Sequence, residues 1–279
     1  MTNIFEKALN QMSDPDGRWR DPESFQGYAL RAGLKKPNTA GYISVQSLKG
    51  LAPELVKKDM MVFRLGSSSG SRHTNFALAK AVNGWNDYFL FDIELFGHEI
   101  IENKPVQWDS DKLVPFSVIA KLTETSYVNL ALSTGIFEDF LGLSTTGTSI
   151  PATGKSSHSF EVRPHTDLPV TWIHESGQVE VDSIFLAKRN GKKILCIVEA
   201  KAGNYPGSLP KYKLAYPIFT IADYVPEDIE IVPIYLHVNE MNGGIRFFLT
   251  ECSFPDPRYS KPYINELVAV NSKVIEINL

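Results

Sequence analysis

Two acidic residues and a lysine lie in positions where they could hydrolyse a phosphodiester. Asn190-Gly191 separates two β-rich runs, and this dipeptide is typical of a two-residue type I′ hairpin turn. Counting outward from that turn, Asp182 faces Glu199, and Glu180 faces Lys201. The sequence therefore predicts a hairpin that brings acids and an amine together.

Side chains of a strand alternate between its two faces, so these four residues are predicted to share one face, with Gln178 extending the row. The other face is predicted to pack into the core. It carries Val179, Val181, Phe185, Cys196, Val198 and Ala200.

Directly opposed like charges destabilise a sheet, so the facing pair Asp182 and Glu199 needs a reason beyond stability. Two close carboxylates suit a hard divalent cation such as Mg²⁺, which takes one or two carboxylates together with phosphate oxygens. Lys201 would point its ammonium group at the same volume and hold charge on a phosphoryl oxygen. This set of groups predicts metal-assisted phosphodiester hydrolysis.

Val181-Asp182, followed after a hairpin by Glu199-Ala200-Lys201, resembles the signature of the PD-(D/E)xK nuclease superfamily, with Val181 in place of the proline. The resemblance implies an α/β fold with a restriction-endonuclease-like core, in which a mixed sheet is flanked by helices. It also implies that Asp182 and Glu199 are metal ligands and that Lys201 is the catalytic lysine. Glu180 would be a second-site ligand or a salt-bridge partner of Lys201.

The resemblance spans roughly residues 114–240. Residues 114–143 would supply its first helix, broken near Gly135, and residues 208–223 its second, kinked or ended by Pro217. Two helix-borne glutamates, Glu124 and Glu138, are alternative further ligands. A strand over 229–238 follows, where Pro233 indicates an edge or a bend.

The rest of the chain yields a coarser prediction. Short helices are predicted over 1–13 and 22–34, a strand, helix and strand between 41 and 65, a helix over 76–84, a strand over 87–95 and a loop over 144–159. We divide the chain into an N-terminal α+β region, 1–105, as a candidate DNA-recognition module, and a nuclease domain, 106–279. The formal net charge is −4, but residues 1–83 carry 12 lysines and arginines against 7 acids, which favours a polyanionic partner.

Five basic residues are candidate DNA contacts: Arg163 and His165 in an extended stretch, Lys211 and Lys213 after the hairpin, and Arg72 beside a Gly/Ser-rich loop. Each has a structural alternative. The first two could form a polar strand face, the next two a solvated helix end, and the last an ordinary connector.

Composition narrows the class of protein. With 43% apolar and 22% charged residues, collagen, coiled-coil and disordered classes are excluded. No apolar run approaches the ~20 residues of a membrane span, and no signal-peptide pattern is found at the N-terminus. The two cysteines are typical of a reducing compartment, so we expect a cytoplasmic protein.

These observations and the resemblance together predict an Mg²⁺-dependent DNA endonuclease related to restriction or defence. A homodimer is implied by the resemblance. One alternative is a non-catalytic DNA-binding protein on the same fold. Another is a nuclease for branched DNA, single-stranded DNA or RNA.

Overall fold

The computed structural model describes residues 3–35, 38–67, 73–144 and 150–278. Within them the α-helices are α1 (Glu6–Leu9), α2 (Phe25–Arg31), α3 (Thr39–Ile43), α4 (Pro53–Val56), α5 (Asp92–Phe96), α6 (Val114–Ser117), α7 (Glu124–Ser133), α8 (Ile136–Leu141) and α9 (Tyr212–Ile221). Short 3₁₀ turns cover Leu48–Gly50, Trp85–Asp87, Ala222–Tyr224 and Ile264–Glu266.

The described strands are β1 (Trp19–Ser24), β2 (Met60–Ser67), β3 (Thr74–Lys80), β4 (Phe89–Phe91), β5 (Ile101–Lys104), β6 (Ala152–Val162), β7 (Trp172–Arg189), β8 (Lys192–Ala202), β9 (Ser208–Pro210), β10 (Glu230–Met241), β11 (Gly244–Ser253) and β12 (Val268–Asn278). Strands β4 and β9 pair as a separate two-stranded sheet.

The other strands form one ten-stranded sheet in the order β1-β3-β2-β7-β8-β10-β11-β12-β5, and β6 also pairs with β7. Most pairs are antiparallel, whereas β8–β10, β2–β7 and β12–β5 are parallel. The fold is therefore mixed α and β, with a large mixed sheet flanked by helices, as the sequence predicts.

The hairpin β7–β8 has the predicted turn, and the predicted register from Arg189 to Ser183. Asn190 and Gly191 both have positive φ, 52° and 79°, which a type I′ turn requires. The ladder runs from Arg189↔Lys192 to Ser183↔Val198. Beyond that pair β7 continues without β8, while β6 pairs along its other edge, so the ladder with β8 ends one residue before Asp182.

Helices cover both faces of the sheet at β8. Val198 and Ala200 are buried in one apolar cluster with the buried residues of α7 and α8. Glu199 points the other way, towards α9, whose Lys213 bonds to it. The carboxylate thus lies on the α9 face of the sheet.

The N-terminal part of the chain shares its apolar core with the second half. Phe63 of β2 packs against Trp172 of β7 and Tyr212 of α9, with ring centroids 5.6 and 6.2 Å apart. The structure therefore seats the predicted N-terminal region directly against the hairpin and α9.

Three predictions for the N-terminal half and the central loop are wrong. Residues 76–84 are not helical, because their Ala- and Leu-rich run is buried as β3 between β1 and β2, and tertiary context overrides helix propensity. The segment after Asn38 begins a helix rather than a strand, since the Asn38 side chain accepts from the backbone N–H of Gly41. The predicted loop 144–159 contains the start of β6 at Ala152.

The two flanking helices are also shorter than predicted. Residues 114–143 form three helices, and Gly135, with φ 70°, separates the last two near the predicted break. Ser208–Pro210 pairs with β4 as a strand instead of starting α9, and Pro217 lies inside α9 without ending it. Pro233 lies in an interior strand, one residue before its ladder with β11 begins at Ile234.

None of the helices in the described residues is both long enough and apolar enough to cross a membrane.

Gly66 is the residue at which β2 pairs with β7, and we expect its substitution to destabilise the protein strongly. Its φ is +71°, and an added Cβ would overlap the carbonyl oxygen of Glu175 and lie 2.7 Å from Gly177 Cα. We expect Gly66→Ala to lower the free energy of unfolding by more than about 3 kcal/mol, because backbone atoms would have to move. Denaturant unfolding monitored by circular dichroism measures this.

Gly17 is the matched control, since its φ is +69° and nothing lies within 4 Å of an added Cβ. Gly17→Ala should cost only the backbone penalty, about 1–2 kcal/mol. Equal losses for the two variants would show that the close approach of β2 and β7 is not a constraint.

Candidate functional site

Asp182 lies where the β7–β8 ladder ends. Here its side chain, instead of the β7 backbone, bonds to the backbone of β8. Its Oδ2 accepts a hydrogen bond of 3.0 Å from the backbone N–H of Ala200. A buried N–H left without a backbone partner is thus satisfied by a carboxylate. This bond fixes Asp182 beside Glu199, the residue of β8 that precedes Ala200 and points to the same face as Asp182.

Glu199 is buried, with only 4% of its surface exposed, and is held by two lysines. Lys201 Nζ lies 2.9 Å and Lys213 Nζ 2.8 Å from the same oxygen, Oε1. Lys201 is two residues further along β8, whereas Lys213 comes from the first turn of α9. Two cations on one carboxylate oxygen compensate the cost of burying its charge.

A cavity of about 160 Å³ opens in front of these groups. Asp182, Glu199 and Lys213 line it from the hairpin and α9, and Gln46 and Arg64 line it from the N-terminal region. The guanidinium group of Arg64 donates to the Ser44 hydroxyl at 3.2 Å. The site is therefore assembled from both halves of the chain.

The pKa values of Asp182 and Lys201 are raised by different causes. Burial, together with the neighbouring charge of Glu199, raises the pKa of Asp182 to about 6. Burial alone would lower the pKa of Lys201, but attraction to Glu199 outweighs it and the pKa is raised. At neutral pH Lys201 therefore keeps its proton and acts as a positive charge, not as a base.

The donor set was tested for its fit to a metal ion. No group of three or more His, Cys, Asp or Glu side chains in the described ranges is arranged to hold a metal. Asp182 Oδ1 and Glu199 Oε2 make no hydrogen bond with any described residue. Two free carboxylate oxygens fit Mg²⁺, which binds through one or two carboxylates and completes its shell with water and phosphate oxygens.

Glu180 is not opposite Lys201 in a ladder, so that part of the predicted register is wrong. β7 has already left β8 at this point, and Glu180 pairs in register with Lys155 of β6, at 3.6 Å between charged atoms. It still lines the cavity, together with Gln178. Of its two predicted roles, salt-bridge partner of Lys201 and second-site metal ligand, only the second remains, because its salt bridge is with Lys155.

The structure does not bring the two helix-borne glutamates to the cavity. Glu124 and Glu138 lie on α7 and α8, which pack against Val198 and Ala200 on the opposite face of β8 from Glu199. Neither residue lines the cavity.

Two of the predicted DNA contacts are buried. His165 is fully buried, with Nε2 3.1 Å from Asp87 and Nδ1 accepting from the backbone N–H of Asp167 at 3.0 Å. Lys211 is 4% exposed and donates to the Asn265 carbonyl at 3.3 Å, and burial lowers its pKa to about 8. The structure places neither side chain where a phosphate can reach it, so these two assignments are wrong.

The remaining predicted DNA contacts lie in different settings. Arg163 stacks its guanidinium group on Tyr263, 4.7 Å from the ring centroid, and donates to the Lys261 carbonyl. Lys213 belongs to the cavity itself. Arg72 lies outside the described residues.

Sequence reasoning missed Gln46 and Arg64. Arg64 carried a usable signal, because it is a charged residue within the apolar strand run Met60–Ser67, and such a charge is rarely buried without a partner. Gln46 lies in an irregular segment whose position depends on tertiary packing, and no local pattern predicts it.

The fold and the site define a mixed α and β protein whose sheet carries a half-buried cluster of two carboxylates and two lysines. Residues 97–272 match a protein family described as a domain of unknown function, DUF6997. The match covers more than half of the chain, so the chain belongs to this family. No curated protein and no solved structure matches the chain.

The raised pKa of Asp182 predicts that this residue destabilises the metal-free protein. Its folded pKa, about 6, exceeds the unfolded value of 3.8, so its contribution to stability falls as pH rises from about 4 to 6 and stays low above that. In EDTA at pH 8 we expect Asp182→Asn to stabilise the protein by about 1–3 kcal/mol. At pH 4 the gain should shrink towards zero. Urea unfolding at the two pH values measures both.

Asp256 is a matched control of opposite sign. Hydrogen bonding to Arg258 lowers the pKa of Asp256, so its ionised form stabilises the fold above the unfolded pKa. Asp256→Asn should therefore lower stability at pH 8. If both Asn variants lost stability at pH 8, the ionised carboxylate of Asp182 would not destabilise the folded protein.

Proposed function

We propose that this protein is an Mg²⁺-dependent endonuclease that hydrolyses DNA phosphodiester bonds, related to restriction or defence enzymes. The observation that carries the proposal is that Asp182 and Glu199 line one cavity and that Lys201 bonds to Glu199 beside it. An ordinary sheet gains nothing from burying two neighbouring carboxylates. An acid whose pKa is raised beside a cavity, as at Asp182, is instead typical of functional sites.

The topology supports a restriction-endonuclease-like core. The acidic hairpin β7–β8 is central, β10 runs parallel to β8, and helices α7 and α9 lie on opposite faces of the sheet. Glu199 and Lys201 lie near the end of β8, and Asp182 lies beside them on β7. Cytoplasmic location and a homodimer are further parts of this proposal.

The two acidic residues and the lysine would have different roles in the reaction. Asp182 and Glu199 would hold the metal through their free oxygens, Oδ1 and Oε2. When bound, Mg²⁺ would activate water and neutralise charge on the phosphate. Lys201, protonated at neutral pH, would stabilise the negative charge that grows on a phosphoryl oxygen.

The N-terminal region would hold the nucleic acid against this centre. Arg64 and Gln46 reach the cavity from the side opposite the hairpin. A guanidinium group pairs well with phosphate through two parallel hydrogen bonds, so Arg64 is the best placed candidate to orient the scissile phosphate.

One observation favours a second candidate, a non-catalytic DNA-binding protein on the same fold. Both lysines neutralise Glu199 without a metal, so the charge of Glu199 is satisfied by structural ion pairs alone. Metal-dependent cleavage and metal-dependent stabilisation separate the two candidates.

Cleavage of plasmid DNA in Mg²⁺ tests the proposal directly. We expect Asp182→Asn, Glu199→Gln and Lys201→Gln each to lower the cleavage rate by about 100- to 1,000-fold, because each removes a charge that acts on the phosphate or the metal. EDTA should abolish cleavage by the wild type.

Lys193→Gln and Asp228→Asn are the matched controls. They change the same residue types in a salt bridge at the far end of the hairpin, 3.5 Å between charged atoms. Both should cleave like the wild type. The nuclease assignment is wrong if the site variants and these controls cleave at the same rate.

Mg²⁺ binding provides a readout independent of cleavage. A cation that neutralises Asp182 and Glu199 should raise the melting temperature, and at 100 times its Kd it adds about 2.7 kcal/mol of stability. Asp182→Asn should show a much smaller rise, and Asp228→Asn should match the wild type. An equal rise for all three would place the cation elsewhere and favour the non-catalytic candidate.

A further inference from the structure

We propose that a groove beside the candidate site holds an unpaired strand of nucleic acid, with its bases against an apolar wall. We call it the strand groove. It has a volume of about 920 Å³. The proposal rests on the proposed function for the polymer it binds, and it adds the state of the substrate: single-stranded next to the cleaved bond.

The strand groove is continuous with the candidate site. One wall comes from the N-terminal residues 46–57 and the other from residues 201–208 at the end of β8. Lys201 lines the groove while its Nζ bonds to Glu199, and Gln46 lines both the groove and the smaller cavity. A strand lying in the groove would therefore contact Lys201, whose ammonium group is bonded to Glu199.

The groove wall has the chemistry of a surface that contacts base faces. It is lined by the apolar side chains of Leu48, Leu51, Pro53, Val56 and Phe91. In a duplex the base faces are stacked inside and only phosphates and base edges reach a protein. In a single strand the faces are free to pack on aromatic and apolar side chains.

Positive charge lies along the same groove. Lys49 and Lys57 are exposed on its N-terminal wall, and Lys201 lies on the opposite wall. No described lining residue is an Asp or Glu. The buried Asp92 behind it is already bound by Tyr235, His237 and the backbone N–H of Gly207. Apolar surface beside the exposed Lys49 and Lys57 matches a strand of bases and phosphates.

The size of the groove agrees with this occupant. Ligand pockets that enclose small molecules measure about 300–1,000 Å³, and the strand groove lies near the top of that range. It can therefore enclose a nucleotide with its base turned out of a stack.

Fluorescence anisotropy in EDTA tests binding without cleavage. The probes are labelled oligothymidylate, oligouridylate, a blunt DNA duplex, and a DNA strand of the same length in which some nucleotides lack bases. We expect the single strands to bind more tightly than the duplex, and the abasic strand to bind at least about fivefold more weakly than oligothymidylate for each base that loses its contact.

The lysines are tested by a pair of neighbouring variants. Lys57 lines the groove, whereas Lys58 is exposed but does not. Lys57→Gln should weaken single-strand binding and reduce the slope of log K against log salt by about 0.7, the loss of one phosphate contact. Lys58→Gln should leave both unchanged. Lys49→Gln should behave like Lys57→Gln.

The failure of this proposal differs from the failure of the proposed function. Tighter duplex binding, no effect of removing bases, or equal effects of Lys57→Gln and Lys58→Gln would overturn the strand groove even if Mg²⁺-dependent cleavage depends on Asp182. Conversely, base-dependent single-strand binding that Lys57→Gln weakens supports the groove even if no cleavage is found.

Discussion

The site depends on one electrostatic constraint: the charge of Glu199 is buried in the sheet next to a second acid. Two lysines from different elements neutralise one of its oxygens, at 2.9 and 2.8 Å. Asp182 receives a single backbone N–H, and its pKa rises to about 6 because burial and Glu199 both disfavour its charge. The cluster therefore has compensated charge at Glu199 and uncompensated charge at Asp182. An added cation beside Asp182 would remove that imbalance.

The same constraint explains why β7 leaves β8 where it does. A ladder that continued past Ser183↔Val198 would place Asp182 directly against Glu199 and leave no space between them. Instead the strands separate, the Asp182 carboxylate takes the Ala200 N–H, and a cavity opens on the α9 face. The position of the cavity thus coincides with the end of the β7–β8 ladder.

The sequence was most informative where a local signal sets the geometry. Asn190-Gly191 determines the turn, the turn determines the register, and alternation then places Asp182, Glu199 and Lys201 on one face. It failed where distant packing decides. Glu180 pairs with β6, which was predicted as loop, and the basic residues His165 and Lys211 are buried by segments far away in the chain. Charge in a sequence indicates a preference for water, but it does not show which charges are enclosed.

The N-terminal half of the chain closes one side of the candidate site. Without it, only α9 would cover the carboxylates and lysines, and greater exposure to solvent would weaken their ionic interactions. Gln46 and Arg64 close the cavity from one side, and the shared packing of Phe63 with Trp172 and Tyr212 holds that side in place. The sheet ladder itself joins the two halves at Gly66↔Glu175. The open groove beside the site thus lies between the two halves, along the lysines of residues 46–57, whereas α7 and α8 cover the opposite face.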